Sequence, residues 1–141
     1  ISNSHIIDSK SLGGSRKEKD IVCSPEQLML LNEFTIGITK EKRKKVEHFF
    51  ADYFLVLSHI ARITSKYIIL TLGNRTVDGV KISLLEISQR HLKNNGYDIE
   101  AIYEREIVNK RIPKTTSCVN GKCVLSMNDE YILIAKKRNV F

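Results

Sequence analysis

The stretch that most constrains the fold is residues 67 to 82, YIILTLGNRTVDGVKI, where an apolar run breaks at Gly73 into polar residues. From Tyr67 to Leu72 the residues are aliphatic without strict alternation, the pattern of a strand covered on both faces, as in a parallel sheet flanked by helices. The loop that follows such a strand lies at its carboxyl end, where open α/β sheets place their ligands. Asn74 and Arg75 are therefore the first candidate site residues, because an amide and a guanidinium can donate to a base edge or a phosphate. The competing role for both is to cap the following helix or brace the loop. Asp78 and Gly79 read as a turn through which the chain re-enters that helix.

Ahead of this strand, two helices are expected. Ser24 suits an N-cap, Pro25 the first helical position and Gln27 the third position of a capping box, so a helix starts at Pro25 and runs into the mid-thirties. Its inward candidates are Leu28, Leu31 and Phe34, and Gly37 with the β-branched Ile36, Ile38 and Thr39 weakens it thereafter. A longer helix spans Lys40 to about Thr64, since Val46, Phe49, Phe50, Tyr53, Phe54, Leu57, Ile60 and Ala61 recur at steps of three and four. That spacing favours core packing of Phe49, Phe50 and Tyr53 over a platform on which bases stack. The run KEKRKK at 40 to 45 opens the helix; it can meet phosphates, although such runs are more often solvated, and cations there oppose the helix dipole by roughly a few tenths of a kcal/mol each.

Beyond the loop, a third helix is expected over about Ser83 to Lys93, with Leu84, Leu85, Ile87 and Leu92 inward and Asn94, Asn95 and Gly96 as its stop. Residues 97 to 107 alternate, with Tyr97, Ile99, Ala101, Tyr103 and Ile107 on one face, so they form a half-buried strand that is antiparallel or near an edge. A long polar loop and a closing strand, Tyr131 to Lys137, complete a broad hairpin. Within the loop, Asn120-Gly121 marks a second, two-residue hairpin that sets Cys118 opposite Cys123. A zinc site would need two more ligands, and only Cys23 and four scattered histidines remain, so an inert or opportunistically oxidised pair is the expectation. His48, His59 and His91 fall on helices and His5 in the leader; none has a nucleophile system evident around it, and all are read as surface or packing residues.

At 141 residues the chain fits one domain with a true core, read as a flexible leader over 1–20 and a single α/β unit over 21–141. Gly13 and Gly14 would serve that leader as a hinge. A net charge of +7 favours a polyanionic partner over neutral ones, with a merely solvated basic surface as the alternative. Three cysteines, an odd number, fit a reducing cytoplasmic setting, and no apolar run approaches the roughly 20 residues of a membrane span.

Several segments in order, LGG at 12 to 14, VEHFFADYF at 46 to 54, GNRTVDGVKI at 73 to 82, NKRIP at 109 to 113, NGK at 120 to 122 and MNDEYILIAKK at 127 to 137, resemble the C-terminal half of bacterial DNA modification methylases. The resemblance spans nearly the whole chain. It implies an α/β fold that is the C-terminal half of a Rossmann-like methyltransferase sheet with a terminal antiparallel hairpin. It implies transfer of a methyl group from S-adenosylmethionine to adenine N6 or cytosine N4 of duplex DNA, within a restriction-modification system. Asn109, Lys110 and Arg111, at the hairpin mouth, join Asn74 and Arg75 as DNA-facing candidates, against an exposed basic loop as their plainer role. The family's glycine-rich cofactor turn and its Asp/Asn/Ser-Pro-Pro-aromatic tetrapeptide are not found here, since Pro25 and Pro113 each stand alone. No catalytic or cofactor-binding residue is therefore assigned to this chain. The expected partner is the N-terminal half of the enzyme or a complementary subunit, with a fragment preferred to a split or degenerate enzyme because a sheet without its first strands exposes an edge. A non-catalytic module that binds nucleic acid or a partner is the alternative from another class, and methylation of RNA or a small molecule a third.

Overall fold

The computed structural model describes residues 10–14, 21–107, 115–119, 121–125 and 129–139. Among the described residues, three helices and seven strands follow one another as α1 (Pro25–Phe34), α2 (Lys40–Ile63), β1 (Tyr67–Leu72), β2 (Arg75–Val77), β3 (Val80–Ile82), α3 (Leu84–Asn94), β4 (Tyr97–Glu106), β5 (Thr115–Val119), β6 (Lys122–Leu125) and β7 (Asp129–Lys137). The fold is mixed α/β. Its main sheet has the order β1-β7-β4, with β7 antiparallel to both neighbours. The last strand thus lies between two that run the same way as each other, and β4 with β7 is the broad terminal hairpin expected from the sequence.

The helices start and stop where local chemistry dictates. Ser24 accepts from the Gln27 amide at 3.2 Å while the Gln27 side chain accepts from the Ser24 amide at 2.9 Å, closing the capping box of α1. The Thr35 hydroxyl donates back to the Leu31 carbonyl at 3.0 Å where α1 ends. The end of α2 would leave carbonyls unpaired. The Tyr97 hydroxyl donates to Ala61 O at 2.8 Å and to Thr64 O at 3.3 Å, and Lys137 Nζ donates to Thr64 O at 2.8 Å. Those bonds tie the far ends of α2, β4 and β7 together, and the lysine sets a cation where the helix dipole is negative.

The core lies between the helices and one face of the sheet. Val46, Phe50, Phe54, Leu57 and Ala61 of α2 and Ile87 and Leu92 of α3 pack with Ile68, Leu72, Leu133, Ala135 and Tyr97 from the strands. The helical spacing predicted this face of α2, and Phe49 and Ile60 lie half-buried at its margin. Tyr53 and Ser88 join α2 to α3 through a buried 2.6 Å hydrogen bond, and Ser88 in turn donates to Leu84 O.

The strand β1 departs from its expected setting. Its described neighbour is antiparallel rather than parallel, and its burial alternates: Ile68 and Leu72 are buried, whereas Ile69 is 64% exposed. Among the described residues, the helices cover one side of the sheet. Register places Ile69, Ile134 and Ala101 in one row of the opposite face and Thr71, Ile132 and Tyr103 in the next. A bulge between Ile99 and Ala101 reverses the parity of β4, so its alternation does not persist along the strand and Tyr103 is 59% exposed. Among the described residues, the second edge of β1 is unpaired. At its start, the ammonium groups of Lys66 and Lys136 stand 5.4 Å and 6.0 Å from the Tyr67 ring centroid.

Candidate nucleic-acid interface

Residues after Gly73 do not form the polar loop expected from the sequence; they form a tight hairpin. Asp78 and Gly79 both have positive φ, 51° and 75°, and Val77 pairs with Val80 across them. This is a two-residue turn of the kind favoured by Asp-Gly, so the pair does make a turn, but one between strands rather than into a helix. Asp78 then acts beyond its hairpin. Its carboxylate accepts from the Thr39 amide at 3.1 Å, from the Thr39 hydroxyl at 2.8 Å and from the Lys42 ammonium. The Lys42 bond, followed by those from Thr39, holds the Asp78 carboxyl below the usual carboxylate range. A fixed anion therefore sits at the N-terminal end of α2 and offsets part of the charge of KEKRKK.

Pinning the hairpin to α2 creates a cleft of about 310 Å³. Its wall is apolar, from Val46, Phe49 and Phe50 of α2 and Val77 and Ile82 of the hairpin, and its cations are Lys42, Lys45 and Arg75. The Arg75 guanidinium lies over the Phe49 ring, 4.2 Å from its centroid. That distance is well inside the roughly 6 Å reach of a cation–π contact. Lys42 is paired with Asp78, and Arg43, one residue on, bonds Glu47 at 3.2 Å and also Asn32. Among the described residues, Lys45 and Arg75 have no carboxylate partner. Two uncompensated cations thus border an apolar recess.

Asn74 lies in the bend before β2, and among the described residues its Oδ1 is buried without a hydrogen-bond partner. Such an orphaned acceptor costs about 1–3 kcal/mol. Arg75 and Asn74 are therefore adjacent, as the sequence requires, with Arg75 facing the cleft. Asn109, Lys110 and Arg111 lie outside the described residues.

Residues 10–14 rest on the same helix. The Gly13 amide donates to Asp52 Oδ2 at 3.0 Å, and Gly14 O lies 3.1 Å from His48 Nε2. Gly13, at φ +74°, approaches so closely that a Cβ there would lie 3.0 Å from Phe49 Cβ. Its small size serves contact with α2 at this point. Phe49 consequently carries Gly13 and Arg75 at once.

A second cleft, of about 650 Å³, opens between α1 and the C-terminal end of α3. His91 and Ser58 line it, with Ser58 Oγ 3.1 Å from His91 Nε2. No sequence signal marks this pair, because the residues are 33 positions apart and on different helices. His91 also packs on Phe54, with ring centroids 4.7 Å apart, and burial pushes its pKa down, so the ring is held neutral. The sequence reads His91 as a surface or packing residue without a serine near it; it packs on Phe54, and Ser58 stands beside it. Cys23 is buried and its thiol is pushed up to about 11 by burial and by the nearby Glu47, which leaves it protonated and inert at neutral pH.

The ribbon of β5 and β6 has the expected register, with Cys118 opposite Cys123 and Val119 opposite Lys122. Among the described residues there is no cluster of three or more metal-ligating side chains, and no helix long and apolar enough to cross a membrane. No protein-family model, curated protein or solved structure matches the chain.

Proposed function

We propose that the chain is part of an S-adenosylmethionine-dependent DNA methyltransferase acting on an exocyclic amino group of adenine or cytosine, and that it supplies sheet scaffold and DNA-facing surface. The observation that carries this reading is the order β1-β7-β4, in which the final strand is inserted antiparallel between two strands of like direction and β1 is left with an open edge. That arrangement accords with the C-terminal half of a Rossmann-like methyltransferase sheet, to which earlier strands would be added at β1. The exposed apolar rows on the outer face are consistent with a covering layer from the same source. The cleft bordered by Lys45 and Arg75 fits the DNA-facing role, since unpaired cations can replace counterions on a phosphate backbone.

The described residues do not suit the cofactor. Strand β1 runs through Gly73 and Asn74 into a second strand, not through a glycine-rich turn into a helix, so nothing here forms the backbone cradle such a ligand needs. S-adenosylmethionine and the groups that hold the extruded base would come from the other part of the enzyme. Partners under this reading are duplex DNA and that complementary part, and the setting is cytoplasmic, in a restriction-modification system.

The test is reconstitution. The chain is co-purified with the segment, from the same reading frame or a neighbouring gene, that carries the cofactor turn and the Pro-Pro-aromatic tetrapeptide. Labelled methyl groups should pass from S-adenosylmethionine to duplex DNA only when both are present. A complex that binds cofactor and DNA yet labels no DNA of mixed sequence would replace this reading with that of a non-catalytic binding module.

A further inference from the structure

We propose that the cleft between α2 and the β2–β3 hairpin is a binding site for one unstacked nucleobase with its phosphate. The base lies against the Arg75 guanidinium and the apolar wall, and the phosphate meets Lys45. This deepens the nucleic-acid reading above and rests on it for the strand that presents the base.

Three properties of the cleft converge on that ligand. The first is size. At about 310 Å³ the recess is at the lower end of small-molecule sites, which run from about 300 to 1,000 Å³, so it admits a single nucleotide and not a duplex. The second is the division of its surface. Phe50 and Ile82 on the wall are each 1% exposed, which makes that wall part of the fixed core rather than a flexible lining. A small inorganic anion would leave this wall wet, whereas a neutral apolar ligand would leave Lys45 and Arg75 without counter-charge. A ligand with a flat apolar body and an anionic end satisfies both.

The third property is shape. The centre of the Arg75 guanidinium lies over the Phe49 ring, 4.2 Å from its centroid, and Arg75 is itself exposed. A guanidinium anchored over one ring has a second face with which it can meet another ring, and arginine planes are a common surface for unstacked bases. Lys42 is already neutralised by Asp78, so Lys45 is the lysine of the cleft whose charge is left for the phosphate. The same chemistry is offered by a free nucleotide and by an extruded or single-stranded residue of a nucleic acid.

The 141-residue chain is titrated at low salt with a fluorescent single-stranded 8-mer and with an 8-mer of the same backbone that is abasic at every position. Stacking of one base predicts roughly a fivefold or greater preference for the intact strand. Arg75→Lys should keep the affinity for the abasic strand but lose the preference, because charge remains and the plane is gone. Lys45→Ala should weaken both strands alike and reduce the salt slope by about one. A nucleoside monophosphate that displaces the intact strand supports the same site with a free nucleotide as occupant. Equal binding of intact and abasic strands overturns the proposal while leaving DNA contact standing. Equal competition by octanoate, or no binding to any strand with the fold intact by circular dichroism, overturns it as well. Base-dependent binding without methyl transfer in the reconstituted complex would instead count against the enzyme reading alone.

Discussion

The two faces of the β1-β7-β4 sheet are built from similar residues and end in different surroundings. On the inner face, Ile68, Leu72, Leu133, Ala135 and Tyr97 are buried beneath α2 and α3. On the outer face, Ile69, Ile132, Ile134, Ala101 and Tyr103 stand in register, yet Ile69 and Tyr103 remain 64% and 59% exposed. A sheet meant to face water on one side alternates apolar with polar residues. This one keeps aliphatic side chains on both. The difference teaches that exposure in this sheet follows from where α2 and α3 lie rather than from the residue types, since among the described residues Ile69 and Tyr103 stay exposed on a face that bears apolar rows.

The largest break in that comparison comes from the inner face. Leu133→Ala, at a fully buried position, should cost about 2–5 kcal/mol of unfolding free energy in urea denaturation. Tyr97→Phe keeps the ring and removes the hydroxyl that serves Ala61 O and Thr64 O. It should cost about 1–2 kcal/mol by the same measurement, because Ala61 O loses its donor while Thr64 O keeps that of Lys137.

Asp78→Ala acts at the hairpin instead of the sheet and should have a smaller effect, with a distinct pH signature. The folded pKa of Asp78 is depressed, chiefly by Lys42, so its contribution is present above the unfolded value near pH 4 and is lost as pH falls through the folded value. Denaturation midpoints of the native chain and the variant should therefore differ at pH 7 and converge in acid. The smallest effect belongs to the outer face. Ile69→Thr should change the stability of the isolated chain by no more than about 0.5 kcal/mol. In the reconstituted complex it should weaken assembly, measured by sedimentation or calorimetry, and an unchanged assembly would mean that the outer face stays bare.

Much of the helical architecture was legible because its signals are local. The capping box at Ser24 and Gln27 and the apolar face of α2 depend on residues within one or two turns of each other. The Asn120-Gly121 signal likewise gave the register of β5 and β6. The β2–β3 hairpin was equally local, marked by Asp78-Gly79 between Val77 and Val80, but its three-residue strands are too short to show alternation. The cleft was not legible. Arg75 was singled out from its place after a strand, whereas its stacking on Phe49 and its company with Lys45 arise only when Asp78 fastens the hairpin across α2. The bulge in β4 was also hidden, since one extra residue leaves the composition of the strand intact and reverses which side chains face inward.

The open edge of β1 bears on how the protein behaves in the test tube. An unpaired strand edge beside bare isoleucines invites other chains to add to it. Lys66 and Lys136, held over Tyr67 at the start of that edge, place like charges where two such edges would meet. Their repulsion is long-ranged in dilute buffer and shrinks to about 3 Å in 1 M salt. Salt would screen those two ammonium groups, so any self-association through this edge should grow as the salt concentration rises.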